Sequence, residues 1–238
     1  MKRIMIWDFP IRVFHWAFAL CAGGALAIAL CADDDGAVFP LHMLLGLSAG
    51  FLLVVRLALG VFGCRHNRLT AMLYSPRETL GYMGGVITGT APRYLVHNPG
   101  TSAAAIGMFL LVPVLGWTGL DSAGKMAEAL HEILAYALLA LIAAHIAGLA
   151  IHTVRHGENI AFSMITGCKQ GPSGQGLRSA HPILGVVVIL VAAVWIGSLF
   201  ASYNAATRTV ALPLLGSTIH LGENDKNPHH PKSKEDDE

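Results

Sequence analysis

The chain has 238 residues, with 16 Lys and Arg against 15 Asp and Glu for a formal net charge of +1; 54% of its residues are hydrophobic and 13% charged. Soluble proteins carry roughly a quarter charged residues, and the apolar residues here fall into blocks, which points to a polytopic membrane protein and away from a soluble domain. No basic cluster suits nucleic acid, no glycine-rich phosphate loop sits in strand–helix context, and without a CxxCH motif covalent haem attachment by the usual signature is excluded.

Five apolar blocks are predicted to cross a bilayer, at about 13–32, 41–63, 102–120, 130–152 and 183–202. A span needs about 20 such residues, and in lipid only a helix or a closed barrel satisfies its own backbone. The first block follows Lys2 and Arg3 like a signal peptide, but Asp8, Arg12 and His15 interrupt its start and no small-x-small cleavage site follows. It reads as a retained helix. Cys21, Cys31, Cys64 and Cys168 are scattered, without zinc or iron–sulfur spacing.

Cations in the loops set the orientation. Lys2, Arg3 and Arg12 precede the first span, the 64–101 loop holds Arg65, Arg68, Arg77 and Arg93, and the 153–182 loop holds Arg155, Lys169 and Arg178. The intervening loops have three aspartates at 33–35 and the single base Lys125. The N-terminus and the long loops are therefore expected in the cytoplasm, and the C-terminus in the periplasm of a bacterial inner membrane. Ser75-Pro76-Arg77-Glu78 predicts a capped interfacial helix over 76–87. Residues 170–178, GPSGQGLRS, read as a flexible connector. Residues 1–203 make the transmembrane domain and 204–238 an extracytoplasmic segment. Within it, 210–222 is apolar enough either to lie on the membrane or to dock a partner, and the charged tail from about 222 is expected to be disordered.

The chemistry lies in the histidines. The fourth span carries His131, His145 and His152 at spacings of 14 and 7. At about 100° per residue these return to within about 40° and 20° of one another, so all three share a stripe, the first two separated by ~21 Å along the axis. A polar stripe in a membrane helix faces protein, water or a cofactor. His42 opens the second span at the outer level of His131, and His15 lies near the inner start of the first. Four imidazoles in two levels fit two b-type haems, each held from both faces by helices of a bundle. Depth alone leaves the inner ligand open between His145 and His152, slightly favouring His152. Gly46 and Gly50, one and two turns after His42, suit either a flat macrocycle or close helix packing. Arg56 is deep in an apolar block and needs compensation; a haem propionate would supply it, as it would for Arg12. His66, His97, His156, His181 and His220 read as surface residues. Trp7, Asp8, Phe14 and Trp16 read as an interfacial belt.

The opening Trp7-Asp8-x-Pro10-x-Arg12-x-x-His15-Trp16 resembles the bacterial cytochrome b561 family, which includes the b-type cytochrome subunits of nickel–iron hydrogenases and related membrane oxidoreductases. His42 with Arg56, His97-Asn98-Pro99, His131-Glu132 followed by His145, Glu158-Asn159 and Met164-Ile165-Thr166-Gly167 match it as well, over residues 1–200. The resemblance implies an all-α bundle of five transmembrane helices, four forming a di-haem core, with haem b held by His15 with His145 and by His42 with His131. It thus favours His145 over His152. It implies electron transfer between an extracytoplasmic c-type cytochrome or hydrogenase-like protein and membrane quinone. A superoxide:quinone oxidoreductase is the alternative, disfavoured because Lys125 stands alone among Asp121, Glu128 and the 33–35 aspartates. A haem-free histidine-lined metal or proton transporter is the more distant one.

Overall fold

The computed structural model describes residues 2–33, 36–120, 125–214 and 216–221, without the side chains of Leu120 and Lys125. Asp34, Asp35, Asp121, the Lys125 side chain and the tail expected to be disordered lie outside the described residues.

The described helices are α1 (Phe9–Cys31), α2 (Phe39–Phe62), α3 (Pro76–Thr88), α4 (Pro99–Leu120), α5 (Lys125–His156), α6 (Ile160–Thr166) and α7 (Pro182–Ser202). Five of them, α1, α2, α4, α5 and α7, are long and apolar enough to cross a membrane. Each begins a little before its apolar block; in α1, α2, α4 and α7 the first turn is built from proline. Pro10, Pro40 and Pro182 stand in the first turns of α1, α2 and α7, where a missing N–H costs nothing. Asp8 caps α1 by accepting from the Ile11 amide, and Asn98 caps α4 by accepting from Thr101. α5 runs for 32 residues, ~48 Å at 1.5 Å each, and so outruns a hydrocarbon core of about 30 Å. Its last turns stand at the end of the bundle where α1 begins, against α6.

α1 packs along α2 and α4 along α5; α2 joins the pairs through α4, and α7 lies outside against α1 and α2. Four helices thus form the core and the fifth flanks it. Lipid removes the hydrophobic drive between helices, so close packing and hydrogen bonds must hold them. Small residues allow the approach: Ala22, Ala25 and Ala49 are buried in α1 and α2. Phe14 and Phe18 meet Phe109 of α4 edge-on, at 6.3 and 6.2 Å. α2 is the most enclosed span, 44% of its apolar window being buried, whereas α5 has only 6%. The histidine-bearing helix is therefore bordered by little protein.

Two segments depart from the sequence reading. The 170–178 stretch is not a loose connector. Strand β2 (Cys168–Gly171) pairs antiparallel with β1 (Lys2–Met5), Lys2 opposite Gly171 and Met5 opposite Cys168. The following turn is tied down by Leu177 N donating to the Met5 carbonyl and Arg65 to the carbonyls of Gln175 and Gly176. The apolar stretch after α7 folds back on the bundle. Strands β3 (Thr209–Ala211) and β4 (Thr218–His220) form a hairpin whose Val210, with Leu221, is fully buried against Leu44 of α2 and Leu199 of α7. The interfacial helix α3 forms as expected, with both capping-box bonds between Ser75 and Glu78 and no buried residue. Arg155 of α5 closes its far end by donating to the Val86 carbonyl.

Candidate functional site

At the end of the bundle where α2 and α5 begin, the outer level of the sequence reading, the structure brings His42 of α2 and His131 of α5 face to edge, ring centroids 6.0 Å apart. Each ring is fixed through Nδ1. His42 Nδ1 donates to the Ala25 carbonyl at 2.8 Å, and His131 Nδ1 lies 3.1 Å from the Leu115 carbonyl and 3.0 Å from the Thr118 hydroxyl. A proton held on Nδ1 leaves the Nε2 lone pair free, the arrangement by which outer-shell carbonyls prepare a histidine for a metal. Gly119 makes room for the second ring: a Cβ there would stand 3.1 Å from His131 Cε1.

At the inner level His15 of α1 has His145 of α5 as its electrostatic neighbour, and His145 Nδ1 is buried with no hydrogen-bond partner. His152 is engaged elsewhere. Its Nε2 lies 3.9 Å from Glu158 Oε2 and its ring 4.4 Å from that of His156, so it faces the loop and not α1. Among the described residues no three His, Cys, Asp or Glu side chains gather around one point that could take a bare metal ion.

The family model for prokaryotic cytochrome b561 matches residues 6–167, more than half of the chain. The chain belongs to the prokaryotic cytochrome b561 family. It is a membrane-embedded b-type cytochrome of electron transfer, and haem b is its cofactor. No curated protein and no solved structure matches the chain.

The residues of this cytochrome fit that cofactor on two observations. Imidazoles whose other nitrogen is tied to a carbonyl, as in His42 and His131, suit axial ligation; His145 has no such bond on its Nδ1. And a Cβ added at Gly46 or Gly50 would meet nothing within 4 Å, so no helix packs there and close helix contact is not the reason for these glycines.

The arginines are placed differently from a pair aimed at propionates. Arg12 Nη1 donates to the Ile165 carbonyl and Nε to that of Asp8, while its guanidinium lies 5.5 Å over the Phe9 ring. These contacts strap α1 to α6. Arg56, 3% exposed, donates through Nη2 to Met72 Sδ and lies 5.7 Å over Phe109. Its Nη1 is buried without a partner, beside Gly60, whose absent Cβ would come within 2.9 Å of it.

The belt and surface readings need correction. Trp7, Asp8 and Phe14 are buried; of the four only Trp16 is exposed. Trp7 Nε1 donates to Ser163 Oγ at 3.1 Å, and its ring meets His97 edge-on at 5.1 Å. Asp8 gathers the inner ends of three helices: Oδ1 accepts from Ile11 N and Asn67 Nδ2, and Oδ2 lies 3.2 Å from His181 Nδ1. His97 is no surface residue: its Nε2 donates to the His66 carbonyl, and burial lowers it to about 4, so the ring is neutral near pH 7. Distance along the chain concealed this cluster, since its bonds between elements join residues 31 to 173 positions apart.

Proposed function

We propose that this cytochrome carries two haems b, one between His42 and His131 and one between His15 and His145. Through them it passes electrons between an extracytoplasmic redox partner, such as a c-type cytochrome or hydrogenase-like protein, and membrane quinone near the inner haem. The N-terminus and the α5 end lie in the cytoplasm on this reading, in accord with the Lys and Arg of the inner loops. The observation that carries it is the outer pair, two imidazoles from facing helices with each Nδ1 committed to a carbonyl. Haem b supplies a one-electron couple at each level. Residues of the chain set its properties: the carbonyls of Ala25 and Leu115 raise the basicity of the outer ligands, and the hairpin packed on Leu44 and Leu199 covers the outer ends of α2 and α7. Arg56, with its unpartnered Nη1, is the residue of the two arginines better suited to an inner propionate.

The test is a haem count on the purified chain with a reduced-minus-oxidised spectrum and a redox titration. Two haems b per chain and two resolvable potentials are expected; one haem, or none, overturns the reading.

Gly46 gives a sharper check. The Cβ of a leucine there meets nothing within 4 Å, and the change removes a glycine from a helix interior, worth about 0.5–1 kcal/mol. Gly46→Leu is expected to leave the helices at least as stable, by thermal unfolding in detergent. At the same time its bulk occupies the space of a macrocycle and lowers haem content toward one per chain. Full haem content in this variant would place the outer haem elsewhere.

A further inference from the structure

His152 is one of the most enclosed ionisable side chains in the structure, and the ligand set does not use it. Its side chain is 5% exposed, and Nε2 is buried without a hydrogen-bond partner, a condition that is costly if nothing ever satisfies it. It stands seven residues beyond His145, within about 20° on the same stripe and ~10 Å nearer the inner end. The groups facing it come from every neighbouring element: His156 on its own helix, Glu158 in the turn that follows, Lys169 from β2 and Arg93 from the segment before α4. Glu158 is the link outward. Its Oε2 is 3.9 Å from His152 Nε2, and its side chain is 16% exposed. Arg93 and Lys169, at 2.9 and 3.7 Å, hold that carboxylate in place.

We infer that His152 is the proton-loading residue of the inner end, taking a proton on Nε2 by way of Glu158 and surrendering it to quinone. The inference rests on the two-haem quinone reading above. Reduction of an inner haem held by His145 would bring negative charge to the stripe above His152 and offset the two facing cations. That charge favours the imidazolium, which Glu158 then meets as an ion pair. One electron on the inner haem is matched by one proton on Nε2. Two rounds give quinone its two electrons, drawn from the redox partner, and its two protons, drawn from water at the inner face, and quinol leaves. His152 needs no contact with iron for this.

The experiment is a spectroelectrochemical titration of the purified cytochrome at a series of pH values, with the haem count taken on the same samples. In the unsubstituted protein the inner haem potential should fall as pH rises, while the outer potential stays nearly level. His152→Gln should keep both haems and flatten the inner slope. A pH-independent inner potential in the unsubstituted protein overturns the inference without recourse to any variant, as does an unchanged slope in His152→Gln. Loss of the inner haem in His152→Gln also overturns it, by making His152 a ligand. A chain with fewer than two haems before substitution fails the two-haem reading instead, so the two failures are distinguishable.

Discussion

Replacement of His131 by alanine is expected to halve the haem content, from two per chain to one, and to leave the spectrum of the inner haem in place. The reason lies in how the outer pair is made. His131 and His42 come from helices of different pairs, and the next imidazole along α5, His145, is ~21 Å away. Losing a residue that only orients a ligand costs 10–100-fold in metal affinity, and losing the ligand itself costs more. The protein part should tolerate the change. His131 is half-buried, the Leu115 carbonyl it touches lies within α4, and Gly119 already leaves space beside the ring. His42→Ala should give the same single-haem product. A pyridine haemochromogen assay on both variants decides the matter, and two haems in either one would remove His42 and His131 from the ligand set.

Much of the architecture can be read from the chain because a membrane simplifies the problem. A run of some 20 apolar residues admits a helix and little else, so the five spans stand out at 13–32 through 183–202 without knowledge of their neighbours. Their edges do not. The first turns of α1, α2, α4 and α7 are built on Pro10, Pro40, Pro99 and Pro182, residues that lower local hydropathy while favouring a helix start. Pairing between distant strands is legible even less. Lys2–Met5 and Cys168–Gly171 each hold four residues, and nothing in Gly-Pro-Ser-Gly announces a partner at the far end of the chain. The hairpin after α7 is the informative intermediate. Its apolar content signals that Val210 and Leu221 are covered by something, and only the packed coordinates name Leu44 and Leu199 as the cover.

The site divides along the same line. Helical periodicity puts His131, His145 and His152 on one stripe, and their depth pairs His131 with His42 because both open their helices at the same level. Periodicity is silent on what the other face of each ring touches. The Nδ1 bonds to Ala25 and Leu115, the Arg12 contact with the Ile165 carbonyl and the buried Trp7–Ser163 bond all run between elements. Depth alone slightly favours His152 because it treats α1 and α5 as parallel rods ending at one plane. α5 runs on to His156, His152 lies 3.9 Å from Glu158, and His145 is the electrostatic neighbour of His15.

The largest loss of stability is expected from Glu158→Ala. Glu158 joins three parts of the inner end: it accepts from Arg93 Nε at 3.0 Å and Nη2 at 2.9 Å, lies 3.7 Å from Lys169 Nζ, and faces His152. Burial already pulls the Lys169 ammonium below its ordinary value. Without the carboxylate, two cations, Lys169 almost wholly buried, face one another uncompensated. Breaking a buried pair from one side costs about 3–5 kcal/mol, and the partial exposure of Arg93 argues for the lower figure. That corresponds to a fall of roughly 6–12 °C in the midpoint of thermal unfolding for a chain of this size. The pH dependence has a definite sign. Burial alone would raise the Glu158 carboxyl, but the Arg93 hydrogen bonds and the Lys169 charge outweigh it and hold the group below its ordinary value of 4.5. A depressed carboxyl adds stability above its unfolded value, and that stability fades as pH falls through the lower folded one. The unsubstituted protein should therefore lose part of its stability on acidification below about pH 4.5, and Glu158→Ala, having lost the carboxylate already, should lose less over the same range. Glu158→Gln, which can still accept from Arg93 but carries no charge, should fall between the two. Thermal unfolding in detergent at pH 7 and pH 4 measures all three, and equal midpoints for Glu158→Ala and the unsubstituted chain at pH 7 would mean that the inner end is held by the β1–β2 pairing and the Asp8 contacts instead.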